Sequence, residues 1–274
     1  MTFFSLALLV LGTFVSFAHA APSRLFERAS VTPLSGAQIS AFKPFTFFAS
    51  AAYCQPSATL AWNCGANCQA NADFQPVASR GNGVTVQFFS TPWSLPNKER
   101  IRPKWLNSAV QVHNGFRDNQ ASTAPGILAA VQQSLAAHSG ATVTMVGHSL
   151  GAALTLLDSI FLSVHLPVGT QFKTVGYGMP RVGNKAFADF VDAHSTQLTR
   201  ITNKHDPVPI VPGRFLGFQH PSGEVHIDQQ TSAFEACSGQ ENTSDLCTVG
   251  DEPNLFVANI KDHFGPYDGV TVGC

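Results

Sequence analysis

The chain has 274 residues, of which 44% are apolar and only 12% are charged, and its formal net charge is −1. An ordinary soluble domain carries about 25% charged residues, so this composition allows a large apolar core. A nearly neutral chain offers no basic field for phosphate groups, which argues against nucleic acid as a partner.

The first twenty residues predict a signal peptide. Residues 1–20 contain an uncharged apolar run that ends in "AHA", the small-x-small pattern of a signal peptidase site. The alternative is a single-pass membrane anchor, but the apolar run is short for a bilayer and no stop-transfer flank follows it. We therefore expect a secreted, extracellular protein. Residues 21–35 then form a propeptide or flexible start, and residues 36–274 form one domain.

Six cysteines in a secreted chain predict disulfide bonds. Of the fifteen possible pairings, the spacing favours two short loops and one bridge between the ends of the domain: Cys64 with Cys68, Cys237 with Cys247, and Cys54 with Cys274. A zinc site is the weaker interpretation, because Cys64 and Cys68 have no second pair of Cys or His residues at ligand spacing.

Asn242 begins an Asn-Thr-Ser sequence, the acceptor pattern for N-linked glycosylation. It lies between Cys237 and Cys247, inside one of the two predicted short loops. We therefore expect Asn242 on an exposed turn that can carry a glycan.

Hydrophobic spacing and turn residues predict the secondary structure in chain order. The expected elements are an amphipathic helix over 35–54, a strand over 81–89, a helix over 123–138 with Pro125 near its first turn, a strand over 142–146, a helix over 150–164, a strand over 172–180, a helix over 185–194, a strand over 198–204, and a hairpin of 215–220 with 224–228. The alternation of strand and helix predicts an α/β fold with a mostly parallel sheet. No internal repeat or linker divides it.

The sequence Gly147-His148-Ser149-Leu150-Gly151 lies between a strand-forming run and a helix-forming run. This is the context that a G-x-S-x-G nucleophile elbow requires. The turn pushes the serine hydroxyl away from the sheet, and side chains at the two glycine positions would collide with the adjoining strand and helix. The alternative is a glycine-bounded turn with an ordinary serine. We predict that Ser149 is a nucleophile and that His148 points away from its hydroxyl.

A nucleophilic serine needs a base, and in this architecture an acid and then a histidine follow it in the chain. The histidines after Ser149 are His165, His194, His205, His220, His226 and His263. The first two end predicted helices, the third is expected in solvent, and the next two flank the predicted hairpin. His263 lies in a late loop with apolar neighbours and is the best candidate for the base.

Asp206 is the best candidate for the acid that orients the base. It follows a predicted strand, and Pro207 fixes the turn that holds its carboxylate. Asp158, Asp189 and Asp192 lie within predicted helices, where surface or capping charges are expected.

Six stretches in this order resemble the fungal class 3 lipase family: "VHNGF" (112–116), "VTMVGHSLGAAL" (143–154), "GYGMPRVGN" (176–184), "NKHDPVPIVP" (203–212), "PSGEVHI" (221–227) and "DHFGPYDGV" (262–270). Members of this family are secreted, and feruloyl esterases are among their relatives. The resemblance covers residues 36–274. It implies an α/β-hydrolase fold with helices on both faces of the sheet and a disulfide between the ends of the domain. It also implies Ser149 as nucleophile, Asp206 as orienting acid and His263 as base.

The reaction that the resemblance implies is ester hydrolysis through an acyl-enzyme, without metal or cofactor. The backbone N–H of Leu150 is the expected donor to the oxyanion. The expected substrates are triacylglycerols at a lipid–water interface, with membrane contact peripheral at most. A feruloyl or short-chain esterase, or a lipase-like protein without useful catalysis, is the alternative. The sequence indicates no oligomeric state.

The interval 90–110 departs from the family pattern. Relatives have there a core strand whose loop supplies the second oxyanion donor, followed by a helical lid. This chain has a basic stretch with several prolines and no strand-forming run, in which Ser90 and Thr91 are poor substitutes for the donor. Either a segment is missing from this version of the sequence or the chain lacks part of its site. Loss of a core strand would leave its neighbours' backbone groups unpaired, which favours a missing segment.

Overall fold

The computed structural model describes residues 30–76, 78–81, 86–89, 109–194 and 197–274. The predicted signal peptide, residues 21–29 of the predicted propeptide and the interval 90–108 lie outside the described residues. Ser90 and Thr91 belong to that interval.

The strands are β1 (Val31–Pro33), β2 (Ala78–Gly81), β3 (Val86–Phe89), β4 (Val143–His148), β5 (Phe172–Tyr177), β6 (Gly183–Asn184), β7 (Leu198–Asn203), β8 (Phe218–Gln219), β9 (Glu224–Ile227) and β10 (Phe234–Cys237). The helices are α1 (Gly36–Ser40), α2 (Lys43–Ala51), α3 (Pro56–Leu60), α4 (Ala66–Gln69), α5 (Asn114–Ala137), α6 (Leu150–His165), α7 (Lys185–Ala193) and α8 (Thr248–Asp251). Short 3₁₀ turns cover Arg214–Leu216 and Ile260–Phe264.

A six-stranded sheet in the order β1-β10-β9-β7-β5-β4 forms the centre of the molecule. The strands β4, β5, β7 and β9 run parallel to one another, and β10 and β1 add an antiparallel edge. The predicted mostly parallel sheet is confirmed. Because parallel strands end at one edge of the sheet, the loops after β4, β5 and β7 lie close together.

Helices cover both faces of this sheet. On one face, α2 packs on β5, β7 and β9 through a cluster that includes Ala49, Val175, Ile201 and Val225. On the other face, α6 and α7 share a cluster with the loop after β5. Because helices cover both faces, five of the six residues of β5 and the last four residues of β7 are buried.

Two predicted helices have different bounds in the structure. The segment 35–54 contains two helices, because Pro44 in the first turn of α2 has no N–H with which to continue α1. Helix α5 begins at Asn114 and includes Pro125 in its interior. It packs against α6 through Ala124 and Ile127, which contact Phe161 and Leu162. This packing outweighs the one backbone hydrogen bond that Pro125 cannot make.

The predicted hairpin of 215–220 with 224–228 is wrong. Strand β9 pairs in parallel with β7 and antiparallel with β10, while β8 pairs with β6. All four residues of β9 are buried, so it is an interior strand of the central sheet. His220 and His226 therefore do not face each other: Nε2 of His220 donates to the carbonyl of Pro209, and His226 contacts Asp251.

The predicted strand over 81–89 is present as β3, but it pairs with β2 in a separate two-stranded sheet. Within the described ranges, β4 forms one edge of the central sheet and β1 forms the other. The departure from the family pattern was predicted for residues 90–110, which precede β4. Of these residues, 90–108 lie outside the described part of the chain.

Three disulfides join the pairs that the spacing favoured: Cys54–Cys274, Cys64–Cys68 and Cys237–Cys247. The first spans 220 residues of sequence and holds the end of α2 beside the last residues of the chain. Ser50 and Asn67 reinforce this junction, because each donates a hydrogen bond to the carbonyl of Gly273.

The prediction that Asn242 lies on an exposed turn is wrong. Its side chain is buried, with 4% of the residue exposed. The amide nitrogen that would carry a glycan donates to the carbonyls of Ser238 and Ser30, and its oxygen accepts from the N–H of Ser244. The sequon residues thus form a local turn that directs the side chain inward.

Candidate active site

Ser149 lies at the junction of β4 and α6 in a strained backbone conformation. Its φ is +57° and its ψ is −128°, a region that residues with a side chain rarely adopt. The N–H of Ser149 donates to the carbonyl of Tyr177 at 2.9 Å, which fixes the turn against the end of β5. This is the backbone geometry of a nucleophile elbow.

The two glycines that flank the elbow differ in their surroundings. A Cβ atom at Gly147 would overlap the carbonyl oxygen of Gly151 and would lie 2.6 Å from Oγ1 of Thr155. A Cβ atom at Gly151 would meet no atom of the described chain within 4 Å. The predicted crowding is therefore present at Gly147 and absent at Gly151.

Asp206 and His263 form a buried pair at the carboxyl end of the sheet. Both carboxylate oxygens of Asp206 lie 2.9 Å from Nδ1 of His263. A carboxylate can only accept, so Nδ1 carries the proton and Nε2 is left as the basic nitrogen. The N–H of Val208 also donates to Oδ1 of Asp206, which anchors the carboxylate in its own turn.

Gly178 lies against the Asp206–His263 pair, and the sequence did not predict a role for it. It follows β5 with a φ of +53°. A Cβ atom there would lie 2.8 Å from Oδ2 of Asp206 and 2.9 Å from Nδ1 of His263. Glycine is therefore required both by the backbone conformation and by the approach of the two side chains. The available signal was a glycine directly after a buried strand that neighbours the elbow.

The three predicted residues come from three separate elements of the fold. Ser149 comes after β4, Asp206 after β7, and His263 lies in the late 3₁₀ turn. Among the described residues, no hydrogen bond joins the Ser149 hydroxyl to the His263 ring. Such contacts are often longer in free enzymes than in the reacting complex.

The backbone N–H of Leu150 begins α6, where the first amide groups of a helix have no partner within the helix. No acceptor within the described ranges bonds to this N–H group. The positive end of the helix dipole lies at the same position. Leu150 thus has the free donor that its predicted role in the oxyanion hole requires.

His148 is buried beside the base, in a contact that the sequence did not predict. Its ring lies 4.4 Å from the ring of His263, measured between centroids. Burial, and then the neighbouring His263, lower the pKa of His148 to about 3, so its imidazole is neutral.

Other histidines that follow Ser149 have structural contacts. His165 and His194 each bond through Nδ1 to a carbonyl one turn earlier in their helices, as predicted for helix ends. His205 was expected in solvent, but it is half-buried and lies 3.3 Å from Asp251. Asp251 is the last residue of α8, so this contact places His205 against that helix.

Asp158 was predicted as a surface or capping charge, and this is wrong. It is buried between α5 and α6, where it accepts a hydrogen bond from Gln120 at 2.9 Å. Burial raises the pKa of Asp158 to about 7 despite that hydrogen bond. The error follows from the later start predicted for α5, which left Gln120 outside the helix.

Glu252 is a second buried carboxyl group that the sequence did not indicate. Only 1% of the residue is exposed, and neither carboxyl oxygen has a hydrogen-bond partner in the described ranges. Burial, followed by the charges of Asp206, Asp251 and Asp262, raises the pKa of Glu252 to about 8. The protonated form therefore predominates at neutral pH beside the Asp206–His263 pair.

One group of potential metal ligands lies close together in the described ranges: Glu224, Cys237 and Cys247. The two cysteines are joined in a disulfide and cannot act as thiolate ligands. Glu224 instead pairs with the buried Arg200.

Known proteins resemble this chain in sequence and in fold. Residues 77–216 match the profile of class 3 lipases. The chain is 34% identical over 229 residues to the secreted mono- and diacylglycerol lipase MDL2 of Malassezia globosa, an alignment that covers 79% of this chain and 73% of that protein. The chain belongs to the class 3 lipase family. A second relative from the same organism, the secreted mono- and diacylglycerol lipase MDL3, is 31% identical over 71% of this chain and 67% of its own length.

Solved structures with the same fold are also lipases. Lip2 lipase from Yarrowia lipolytica superposes with a TM-score of 0.73 at 24% identity, over 88% of this chain and 96% of that one. Lipase II from Rhizopus niveus gives a TM-score of 0.71 at 24% identity, over 89% and 99%. These likenesses confirm the predicted α/β-hydrolase fold.

Membership of the family makes this protein a carboxylic ester hydrolase of the lipase type, as predicted. The relatives are named as secreted lipases, in agreement with the predicted secretion. In the part of the chain that the structure describes, no helix combines the length and apolar character needed to cross a bilayer.

Proposed function

We propose that this lipase hydrolyses acylglycerols through a catalytic triad of Ser149, His263 and Asp206. The observation that carries the proposal is the buried pair of Asp206 and His263, with both carboxylate oxygens 2.9 Å from Nδ1, beside a serine in the elbow conformation. Asp206 holds the ring in the tautomer whose Nε2 accepts a proton.

In the proposed reaction, Ser149 attacks the ester carbonyl while Nε2 of His263 takes its proton. His263 then protonates the departing alcohol, and water repeats the sequence on the acyl-enzyme. The N–H of Leu150, which has no acceptor among the described residues, stabilises the oxyanion of each tetrahedral intermediate, a contribution of about 3 kcal/mol for one donor.

Exposed apolar side chains in the segment around His263 support action at a lipid surface. We call them the apolar rim, which consists of Leu255, Phe256, Val257, Ile260 and Phe264. Phe256 is 99% exposed and Leu255 is 59% exposed, which is unusual for large apolar side chains so close in sequence. Peripheral contact of this rim with lipid would bring the ester to the elbow.

The relatives suggest the substrate class. Those at 30–35% identity are named for mono- and diacylglycerols, whereas the triacylglycerol lipases among the solved structures are 24% identical. We therefore place mono- and diacylglycerols first among the acylglycerols, ahead of the triacylglycerols that the sequence alone favoured.

The test is hydrolysis of emulsified monoolein, diolein and triolein, with p-nitrophenyl butyrate and methyl ferulate as competing ester classes. The wild-type protein is compared with Ser149→Ala and with Ser163→Ala, a matched control for a serine that bonds within α6. Ser149→Ala should lose activity by about 10³-fold or more, and Ser163→Ala should keep it.

Equal rates for the wild type and Ser149→Ala would contradict the proposed triad. A preference for butyrate or ferulate would instead contradict the acylglycerol assignment while leaving the triad intact.

A further inference from the structure

We infer that His148 is a positioning residue that holds the catalytic base, His263, in the correct position relative to the nucleophile, Ser149. This inference rests on the proposed triad. His148 precedes Ser149 directly in the elbow, yet its ring bonds to the segment that carries His263. One side chain therefore links the two groups that must exchange a proton.

The segment around His263 depends on side chains from other parts of the fold. The carbonyl of His263 accepts a hydrogen bond from Nε2 of His148 at 2.7 Å and another from the hydroxyl of Tyr267 at 3.0 Å. The carbonyl of Asp262 accepts from Nδ2 of Asn203 at 2.8 Å. Of these three donors, only His148 belongs to the elbow.

The partners of His148 determine its tautomer. A carbonyl can only accept, so Nε2 must carry the proton that bonds to His263. Nδ1 lies 2.5 Å from the hydroxyl of Tyr53, and in the neutral ring this nitrogen accepts. Tyr53 therefore donates to Nδ1 and stabilises the tautomer that can hold the carbonyl of His263.

The charge of His148 matters as well. During the reaction His263 becomes an imidazolium, and its ring centroid lies 4.4 Å from that of His148. A second positive charge at this distance would oppose that step. A buried, neutral His148 provides a hydrogen-bond donor without adding a charge beside the base.

Tyr53 connects this arrangement to the end of α2. It is followed by Cys54, which is joined to Cys274, so its backbone is anchored beside the last residues of the chain. The contacts thus run from the end of α2 through Tyr53 and His148 to the carbonyl of His263.

The experiment is a double-variant cycle with His148→Leu and Tyr53→Phe, assayed with the best substrate of the wild type. His148→Leu should lower kcat about 10- to 100-fold with KM changed less than about twofold, because a small displacement of the base affects the chemical step. Tyr53→Phe should have a smaller effect in the same direction. The double variant should match His148→Leu alone, since Tyr53 acts through His148.

His148→Gln keeps a donor close to the position of Nε2 and should recover at least part of the lost kcat. His165→Leu removes a similar ring-to-carbonyl bond elsewhere in the fold and should leave kcat unchanged. Thermal unfolding of every variant separates loss of structure from loss of rate.

A second readout does not require activity. The ¹⁵N shifts of His148 should show a neutral ring protonated at Nε2 at pH 6, and Tyr53→Phe should weaken this preference. Additive effects in the cycle, no recovery in His148→Gln, or a His148 ring protonated at Nδ1 would each overturn the inference.

Parallel assays of Ser149→Ala separate this inference from the proposed function. If Ser149→Ala is inactive while His148→Leu retains the wild-type kcat, only the positioning role fails. If Ser149→Ala retains the wild-type rate, the proposed triad fails as well.

Discussion

Gly178 approaches Asp206 so closely that a Cβ atom at position 178 would lie 2.8 Å from the carboxylate oxygen Oδ2. We expect Gly178→Ala to displace Asp206 or His263 and to lower kcat by about 100-fold, because misplaced catalytic groups lose rate steeply. Steady-state kinetics on an ester substrate, together with urea unfolding, will measure both effects.

Gly140→Ala is the matched control for this prediction. Gly140 also has a positive φ, +78°, but a Cβ atom there would meet no described atom within 4 Å. Gly140→Ala should lose about 1 kcal/mol of unfolding free energy because of the backbone conformation, as Gly178→Ala does, but it should keep the wild-type kcat. Equal kcat values for the two variants would contradict the proposed collision.

The glycines of the elbow should differ in their tolerance of a methyl group. Gly147→Ala forces a Cβ atom against the carbonyl of Gly151 and the hydroxyl of Thr155, whereas Gly151→Ala directs it into open space. We expect Gly147→Ala to lose about 1–3 kcal/mol of unfolding free energy, as for overpacked positions, and Gly151→Ala to lose less than 1 kcal/mol. Chemical denaturation measures both, and similar losses would refute the asymmetry.

Asp158 should make the protein less stable as pH rises. Burial raises the pKa of Asp158 from 3.8 to about 7. The folded state therefore binds more protons than the unfolded state between these values, and the unfolding free energy falls as pH increases through that window. A shift of this size corresponds to at most about 4 kcal/mol.

Asp158→Asn cannot ionise and should remove this part of the pH dependence. Urea unfolding at pH 5 and pH 8 should show a smaller difference for Asp158→Asn than for the wild type. Asp189→Asn is the control, because its lysine partner lowers the pKa of Asp189 and moves its titration away from this range. An unchanged difference in Asp158→Asn would contradict the burial of a titrating carboxyl group.

Arg181 and Glu241 form a buried ion pair that fixes the loop after Asp206. Two guanidinium nitrogens of Arg181 bond to the two carboxylate oxygens at 2.7 and 2.9 Å, and the third donates to the carbonyls of Ile210 and Pro212. Arg181→Met should cost about 3–5 kcal/mol of unfolding free energy, because Glu241 would remain buried without its counter-ion. Adding Glu241→Met should recover part of that loss in thermal or urea unfolding. A double variant that loses the sum of both single effects would contradict this coupling.

The elements near the elbow could be predicted from the sequence, because hydrophobic spacing and capping residues there agree with the burial in the folded structure. The last two residues of β4, five of the six residues of β5 and the last four residues of β7 are buried. Helix α7 begins directly after Asn184, whose side chain accepts from the N–H of Phe187. In this part of the fold, propensity, caps and burial lead to the same bounds.

Contacts between segments that are distant in the chain could not be predicted from the sequence. Asp158 is buried because α5 covers it, and the start of α5 was placed nine residues too late. The role of Gly178 and the bond between Tyr53 and His148 depend on side chains that meet only after the sheet has formed. Strands β1 and β10 were missed because they are short and their stability comes from pairing with β9 and with each other.

The parallel register of β5 and β7, in which Tyr177 lies opposite Ile201, has a further consequence. A slip by two residues keeps each side chain on its own face of the sheet and moves the strand by about 7 Å. Such a slip would carry Asp206 out of reach of His263 even if every helix stayed intact. Ester turnover is thus a sensitive reporter of misaligned sheet pairing, including in folding intermediates whose helical content looks native.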